Sequence, residues 1–332
     1  MSRLSVGKIP IRVLNRTVLK MTGVPWEMIV VGPEPGVDFG VVRAEGGYLI
    51  VSSDPITGVA SGIGRYAVNV SANDVATSGN RPQFMESVIM LPDDATEGDL
   101  AALAEEMDNC ARSAGISLVG GHTELTPGLR RPIVVATVFC FAKDYVSAAG
   151  AKEGDAILMT KTAGLEGTAV LIRESERLGF SLDAALKASA GPLEAQLSVV
   201  PEAIGAYSTG VVHGMHDCTE GGVLGAVYEM SLASGIGFEL REAAVPVAPA
   251  TARLSRALSL DPLRLIGSGS LLIAVDEAKQ GKVKSALKRV CTVSEVGTFR
   301  KGSRVLVRKR GGEKLVRSAP TDELWRTIAR LG

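Results

Sequence analysis

Four segments pair carboxylates with glycine or small polar residues in a pattern that suits a phosphorylated ligand held through a metal ion. Gly32-Pro33-Glu34-Pro35-Gly36-Val37-Asp38-Phe39-Gly40 reads as a loop that carries Asp38. Ser52-Ser53-Asp54-Pro55 sets a second carboxylate, Asp54, at a strand terminus. Asn69-Val70-Ser71-Ala72-Asn73-Asp74 lies inside a helical pattern, although Asn, Ser and Asp compete there for backbone hydrogen bonds. Asn69 and Asn73 are four residues apart and so share a helix face, which suggests the lining of a site. Gly120-Gly121-His122-Thr123-Glu124 follows a short apolar run. Mg²⁺ takes oxygen ligands, usually carboxylates together with phosphates and water. Glycine lets backbone N–H groups come close to phosphate. Taken singly, Asp38, Asp54 and Asp74 read more readily as turn, cap and surface residues. Taken together, the four segments favour a Mg²⁺–nucleotide site.

The elements that must position these residues are α/β in both halves of the chain. The first half alternates strand 48–52, helix 63–77, strand 83–91, a helix built on Leu100, Leu103, Met107, Ala111 and Ala114 with Gly115 as its C-cap, strand 116–119 and buried strand 133–142. The second half reads as strand 156–159, a loop 161–167, helices near 168–178, 201–210 and 221–234, strands 237–240 and 270–275, helix 276–289, strand 293–298, a hairpin around 304–308 and helix 320–331. The small-residue stretch Ser147-Ala148-Ala149-Gly150-Ala151 predicts a boundary between domains 1–148 and 149–332.

The chain has 332 residues, a length suited to about two domains. Formal net charge is zero, which argues against attachment to nucleic acid or anionic membrane by bulk charge. That neutrality conceals a split, with 12 basic and 16 acidic residues in 1–148 and 24 and 20 in 149–332. No apolar run approaches the ~20 residues of a membrane span. The first twenty residues, which include Arg3, lack the apolar core of a secretory signal. Four scattered cysteines without a Cys-x-x-Cys pair suit reduced thiols in a cytoplasmic protein. Gly62-Ile63-Gly64-Arg65-Tyr66-Ala67 matches a dinucleotide fingerprint loosely, but no strand end precedes it.

In order and wording, the segments resemble the aminoimidazole ribonucleotide (AIR) synthetase superfamily, which includes thiamine-monophosphate kinase, selenophosphate synthetase and hydrogenase maturation protein E. The matches are Gly36-Val37-Asp38, Ser53-Asp54, the helix Asn69 to Pro82 with Asn73-Asp74 and Gly79, Gly120-Gly121-His122-Thr123, and Val212 to Gly222. This last element, His213-Gly214-Met215-His216-Asp217-Cys218-Thr219-Glu220-Gly221-Gly222, is most similar to the hydrogenase maturation branch. The resemblance implies a two-domain, ATP-binding homodimer that pairs through strands of its N-terminal domains. It also implies Mg²⁺, a small-molecule substrate, and transfer or release of the γ-phosphate. A maturation partner protein is a further expectation.

Carried over by position, Asp38, Asp54 and Asp74 hold metal and phosphates, and Asn69 and Asn73 contact nucleotide or orient Asp74. Gly120, Gly121, Thr123, Asp217, Thr219 and Gly221 join the ATP site. Lys161, Thr162 and Gly164 approach phosphate from the second domain, and Lys8 folds over the nucleotide. His122 stands where the family often has an acid. Either Glu124 supplies the displaced metal carboxylate, or His122 is an acid/base, or it is structural. The hydrogenase maturation branch ends in a cysteine-bearing tail; here no cysteine follows Cys291, so its cyanide-forming reaction is expected to be absent. A non-catalytic nucleotide-binding partner and a thiamine-monophosphate-type kinase remain alternatives.

Three further features have plainer readings. His213, His216, Asp217 and Cys218 match no common zinc spacing. Cys218 is the one candidate reactive thiol. Arg300 to Arg317 holds eight basic residues and one acid, and reads as a solvated hairpin because no aromatic interleaves its charges.

Overall fold

The computed structural model describes residue 4, residues 6–59 and residues 62–331; Arg3, Ser61 and Gly332 lie outside them. Two sheets divide the chain. The first has strands β1 (Ile29–Val31), β2 (Gly40–Ala44), β3 (Gly47–Ile56), β4 (Phe84–Leu91), β5 (Ser117–Leu125) and β6 (Ile133–Ala142), in the order β1-β2-β3-β6-β4-β5. Only β4 and β5 run parallel, joined by a crossover helix. The second sheet has β7 (Asp155–Thr160), β8 (Val212–Asp217), β9 (Gly237–Arg241), β10 (Leu271–Asp276), β11 (Val293–Arg300), β12 (Arg304–Val307) and β13 (Glu313–Leu315), in the order β13-β12-β9-β11-β7-β10-β8. The longer helices are α1 (Ile63–Ala76), α2 (Glu97–Ala114), α3 (Leu165–Arg173), α4 (Val200–Tyr207), α5 (Gly222–Ser234), α6 (Pro249–Leu258), α7 (Gln280–Leu287) and α8 (Glu323–Leu331). Among the described residues, no helix is long and apolar enough to cross a membrane.

Helices α1 and α2 follow the sequence expectation closely because their signals are local. α2 opens on a capping box between Thr96 and Asp99 and closes on left-handed Gly115. Two strands run further than expected. β3 continues through Asp54 and Pro55, paired on β6, whereas β2 pairs with it only as far as Val51. A proline is tolerated there because one edge of the strand carries no ladder. β5 continues through Gly120-Gly121 to Leu125. A Cβ on Gly121 would fall 2.0 Å from the Ser87 carbonyl oxygen, so this glycine serves the packing of β5 on β4 at a register shift. The pair is therefore strand backbone.

One apolar core crosses both halves, with Val68 and Val75 of α1 in the same cluster as Leu165, Val170, Leu197 and Val199. Asn73 pins this junction. It is fully buried, its Nδ2 donates to the Leu197 carbonyl at 2.8 Å, and its Oδ1 accepts from the Val199 N–H at 2.8 Å. Each end of the amide bonds the second half, so Asn73 is a bridge between the halves. Asn69 donates to the Arg65 carbonyl one turn back on its own helix. Asn73→Ala is therefore expected to cost about 2–6 kcal/mol, since it strands a buried carbonyl and a buried N–H at about 1–3 kcal/mol each. Asn69→Ala should cost under about 1 kcal/mol. Urea unfolding of the two variants checks this, and equal midpoints would remove the bridging role.

Candidate functional site

A cavity of about 750 Å³ lies between the two halves. Its floor is β3 and α1, which bring Asp54 and Asp74 side by side because β3 packs on the polar face of α1. Ser52 Oγ donates to Asp74 Oδ2 at 2.7 Å and fixes that carboxylate. Asp38 arrives from the loop before β2. That loop lies so close to α5 that a Cβ on Gly36 would fall 2.3 Å from the Glu229 carbonyl oxygen, at φ +82°, so only glycine fits. The opposite wall is the end of β8, with His216, Thr219 and Glu220, and the α5 residue Glu229. Trp325 and Ile328 of α8 close the apolar side.

The electrostatics are dominated by buried carboxylates. Burial and the neighbouring Asp54, Asp217 and Asp38 push the Asp74 carboxyl well above the usual range. Asp217 is raised well above it too, by burial first and then by Asp38, although His216 opposes. Asp38 rises to about 6 because burial outweighs the pull of His216. Glu166 rises to about 7 and Asp322 to about 7, both chiefly through burial. Two cations face this charge. Burial disfavours the His216 imidazolium, yet Asp38, Glu229 and Asp217 together lift its pKa to about 9. Burial likewise raises Glu229, but Lys8 and His216 overcome it and hold the carboxyl at about 2. Lys8 Nζ lies 2.5 Å from Glu229 Oε1, and its backbone N–H donates to Glu220 Oε1 at 2.6 Å. The N-terminal segment thus reaches the cavity through Lys8.

Of the residues expected to form the site, Lys8, Asp38, Asp54, Asp74 and Thr219 line the cavity, and Asp217 lies beside Asp38 and His216. Others do not line it. The Lys161 ammonium, at φ +54°, is consumed by the Ser198, Gly269 and Gln196 carbonyls at 2.6, 2.9 and 3.0 Å and by Glu202 at 2.6 Å, so it has no proton left for phosphate. The Thr162 carbonyl accepts from Ser270 Oγ, and Gly164 is the left-handed cap of α3 packed on Leu265. Gly221 caps α5, its N–H donating to Asp322 Oδ2 at 2.6 Å. Gly120, Gly121, His122, Thr123 and Glu124 stand on the exposed edge strand β5, with His122 Nε2 3.2 Å from Glu124 Oε2.

Sequence reasoning missed Glu229, Glu166 and Ser268. A single acid in the apolar run Gly222–Ser234 was the available signal for Glu229, since an unpaired charge is rarely buried there. The grouping of His213 with His216 also dissolves. His213 Nδ1 binds Asp155 at 2.8 Å, outside the cavity. Burial pushes the Cys218 thiol well up, which leaves it an inert core residue.

The arrangement fits cations. Asp38 Oδ2, Asp54 Oδ2 and both oxygens of Asp217 are buried without a hydrogen-bond donor. Oxygen ligands of this kind are what a hard divalent ion takes.

Comparisons with known proteins place the chain in a family. The AIR synthase related protein N-terminal domain model matches residues 36–142, and the corresponding C-terminal domain model matches residues 152–309. The chain is 30% identical over 292 residues to carbamoyl dehydratase HypE of Escherichia coli (strain K12), covering 85% of this chain and 84% of that protein. A crystal structure of hydrogenase maturation protein HypE in complex with ATP superposes with a TM-score of 0.72 at 22% identity, over 95% of this chain and 93% of that one. A HypE–HypF complex structure gives 0.71 at 21% identity, over 84% and 92%. With both domain models matched in order along one chain, this protein belongs to the AIR synthase related family.

Proposed function

We propose that the protein binds ATP with Mg²⁺ in the interdomain cavity and phosphorylates an oxygen of a small substrate, with ADP and phosphate as the final products. The observation that carries this is the set of buried carboxylate oxygens on Asp38, Asp54 and Asp217 that have no donor. A nucleotide of about four negative charges could not enter beside them without divalent cations. Asp38, Asp54 and Asp74 would hold Mg²⁺, which supplies neutralisation of the charge that builds on the transferring phosphoryl group.

The chain's own groups do the rest. Ser52 keeps Asp74 turned toward the cavity, and Lys8 brings an ammonium over its mouth. Trp325, Ile328 and Ile266 exclude water from the apolar side. A carbonyl oxygen that attacks the γ-phosphorus displaces ADP and then carries a phosphate that can leave with it. The HypE–HypF complex of the relatives supports a maturation partner as the source of the substrate. Asp74→Asn is expected to lower ATP turnover by at least about 100-fold, the scale of losing an electrostatic stabiliser. ADP release measured with amides, amines and alcohols as acceptors tests it. A wild type that binds ATP and never releases ADP would instead be a non-catalytic nucleotide-binding partner.

We also propose a homodimer through β5, whose nine residues are all exposed at the end of the sheet, with Leu118, Val119 and Leu125 at 42, 50 and 54%. An apolar open edge of this kind recruits another strand. It would place His122, Thr123 and Glu124 at the interface. Light scattering should give twice 34.6 kDa for the wild type, and a Leu118→Asp/Val119→Asp variant should give 34.6 kDa. A monomeric wild type would exclude the arrangement.

Charge in the cavity also sets a pH dependence. Asp38, Glu166 and Asp322, at about 6, 7 and 7, bind protons more tightly folded than unfolded, so their contribution is complete below about pH 4 and is lost as pH rises through those values. His216, at about 9, adds a further loss between about pH 6.5 and 9. Glu229 acts in the opposite sense, but its window between about 2 and 4.5 lies below this range. The melting temperature of the metal-free protein should therefore fall from pH 5 to pH 9, and saturating Mg²⁺ should flatten the acidic part of the decline. A melting temperature that rises over that range would contradict the assignment.

A further inference from the structure

The cavity holds a nitrogen donor that Mg²⁺ does not need. His216 is 2% exposed, and its Nδ1 lies 2.7 Å from the Asp217 backbone carbonyl, which can only accept. Nδ1 therefore carries a proton, and Nε2 is the nitrogen whose proton a metal ion would displace from the imidazolium of the metal-free protein. That Nε2 faces Asp38 Oδ1 at 3.1 Å and Glu229 Oε2 at 3.3 Å, two more groups that only accept. Donor atoms that share one ion at bonds of 2.0–2.2 Å stand about 3–3.6 Å apart in adjacent positions. One ligand atom from each of Asp38, His216 and Asp217 lies within 4.8 Å of the others.

Lone pairs converging in a buried space require something positive among them. A proton on Nε2 would satisfy Asp38 and Glu229. It would leave Asp217, which is wholly buried, with no hydrogen bond to either carboxylate oxygen and only His216 Nδ1, at 3.9 Å, near Oδ1. A metal ion serves all of them at once. Lys8 already neutralises the other oxygen of Glu229, so the set is not overloaded with negative charge.

We propose that Asp38, His216 and Asp217, with Glu229 beside them, form a second cation site that takes a nitrogen-accepting transition-metal dication in preference to Mg²⁺. Imidazole suits Zn²⁺, Co²⁺ and their neighbours, whereas Mg²⁺ favours oxygen throughout. The site adjoins the Mg²⁺ carboxylates Asp54 and Asp74 through Asp38. It stands independently of the nucleotide reading, because the metal binds without ATP.

The test is calorimetric titration of the chelator-stripped full chain with Co²⁺, Zn²⁺ and Mg²⁺, each alone. One Co²⁺ or Zn²⁺ per chain should bind at least about 100-fold more tightly than Mg²⁺, in keeping with the ligand preferences of these ions. His216→Asn keeps a donor at the Nδ1 position and deletes Nε2; it should weaken Co²⁺ and Zn²⁺ at least about 10-fold and leave Mg²⁺ within about 2-fold. His213→Asn, paired elsewhere with Asp155, should change neither. Co²⁺ binding no tighter than Mg²⁺, or unaltered by His216→Asn, overturns the site. Should that variant fail to fold, pulsed electron paramagnetic resonance of the wild type with Mn²⁺ decides it: ¹⁴N modulation supports imidazole ligation, and its absence overturns it. Mg-ATP binding measured separately reports on the nucleotide reading, so the two can fail independently.

Discussion

Burial of like charge is the constraint on which the rest of the molecule depends. Asp38, Asp54, Asp74, Asp217 and Glu229 meet where two domain-like halves touch, with Lys8 and His216 as the facing cations. Removing a carboxylate from water costs several kcal/mol unless it is paired or neutralised. The protein meets part of that cost with Lys8 on Glu229, Ser52 on Asp74 and His216 on Asp38. The remainder is visible as carboxyls held far above their usual range and as oxygens with no donor. A scaffold that keeps such a cluster concentrates affinity for cations in one place, and anions of high charge can follow only with them.

The packing around the cluster is correspondingly rigid. Asn73 ties α1 to the segment before α4, and Lys161 gathers three carbonyls and Glu202 at the far side of the same junction. These two residues were expected to touch nucleotide. Asn73 links the two halves, so that Asp74 from one and His216 from the other face a common space, while Lys161 ties together segments of the second half. The Gly36 contact with the α5 backbone has the same consequence, since it sets how far Asp38 reaches.

Much of this was legible in the sequence where signals were local. The helix from Ile63 to Ala76 and the capped helix ending at Gly115 follow from periodicity and caps, and Asp38, Asp54 and Asp74 were marked by acids set among glycine and small polar residues. What escaped was long-range. Asn73 looks like a ligand in one dimension, and only the arrival of Leu197 and Val199, more than a hundred residues later, spends its amide. Gly120-Gly121 resembles a phosphate loop, but the register of β5 on β4 makes it strand. Glu229 was hidden in an apolar helix, and its role appears only when Lys8 and His216 reach it from opposite ends of the fold.

The central claim is that divalent cations on these carboxylates are the condition for nucleotide entry. Equilibrium titration of ATP into the full-length protein, with Mg²⁺ and then with excess chelator, tests it most directly. The account predicts saturable binding with Mg²⁺ and at least about 100-fold weaker binding without it, since the cavity's net negative charge then repels the phosphates. ATP binding of equal strength in chelator would contradict it.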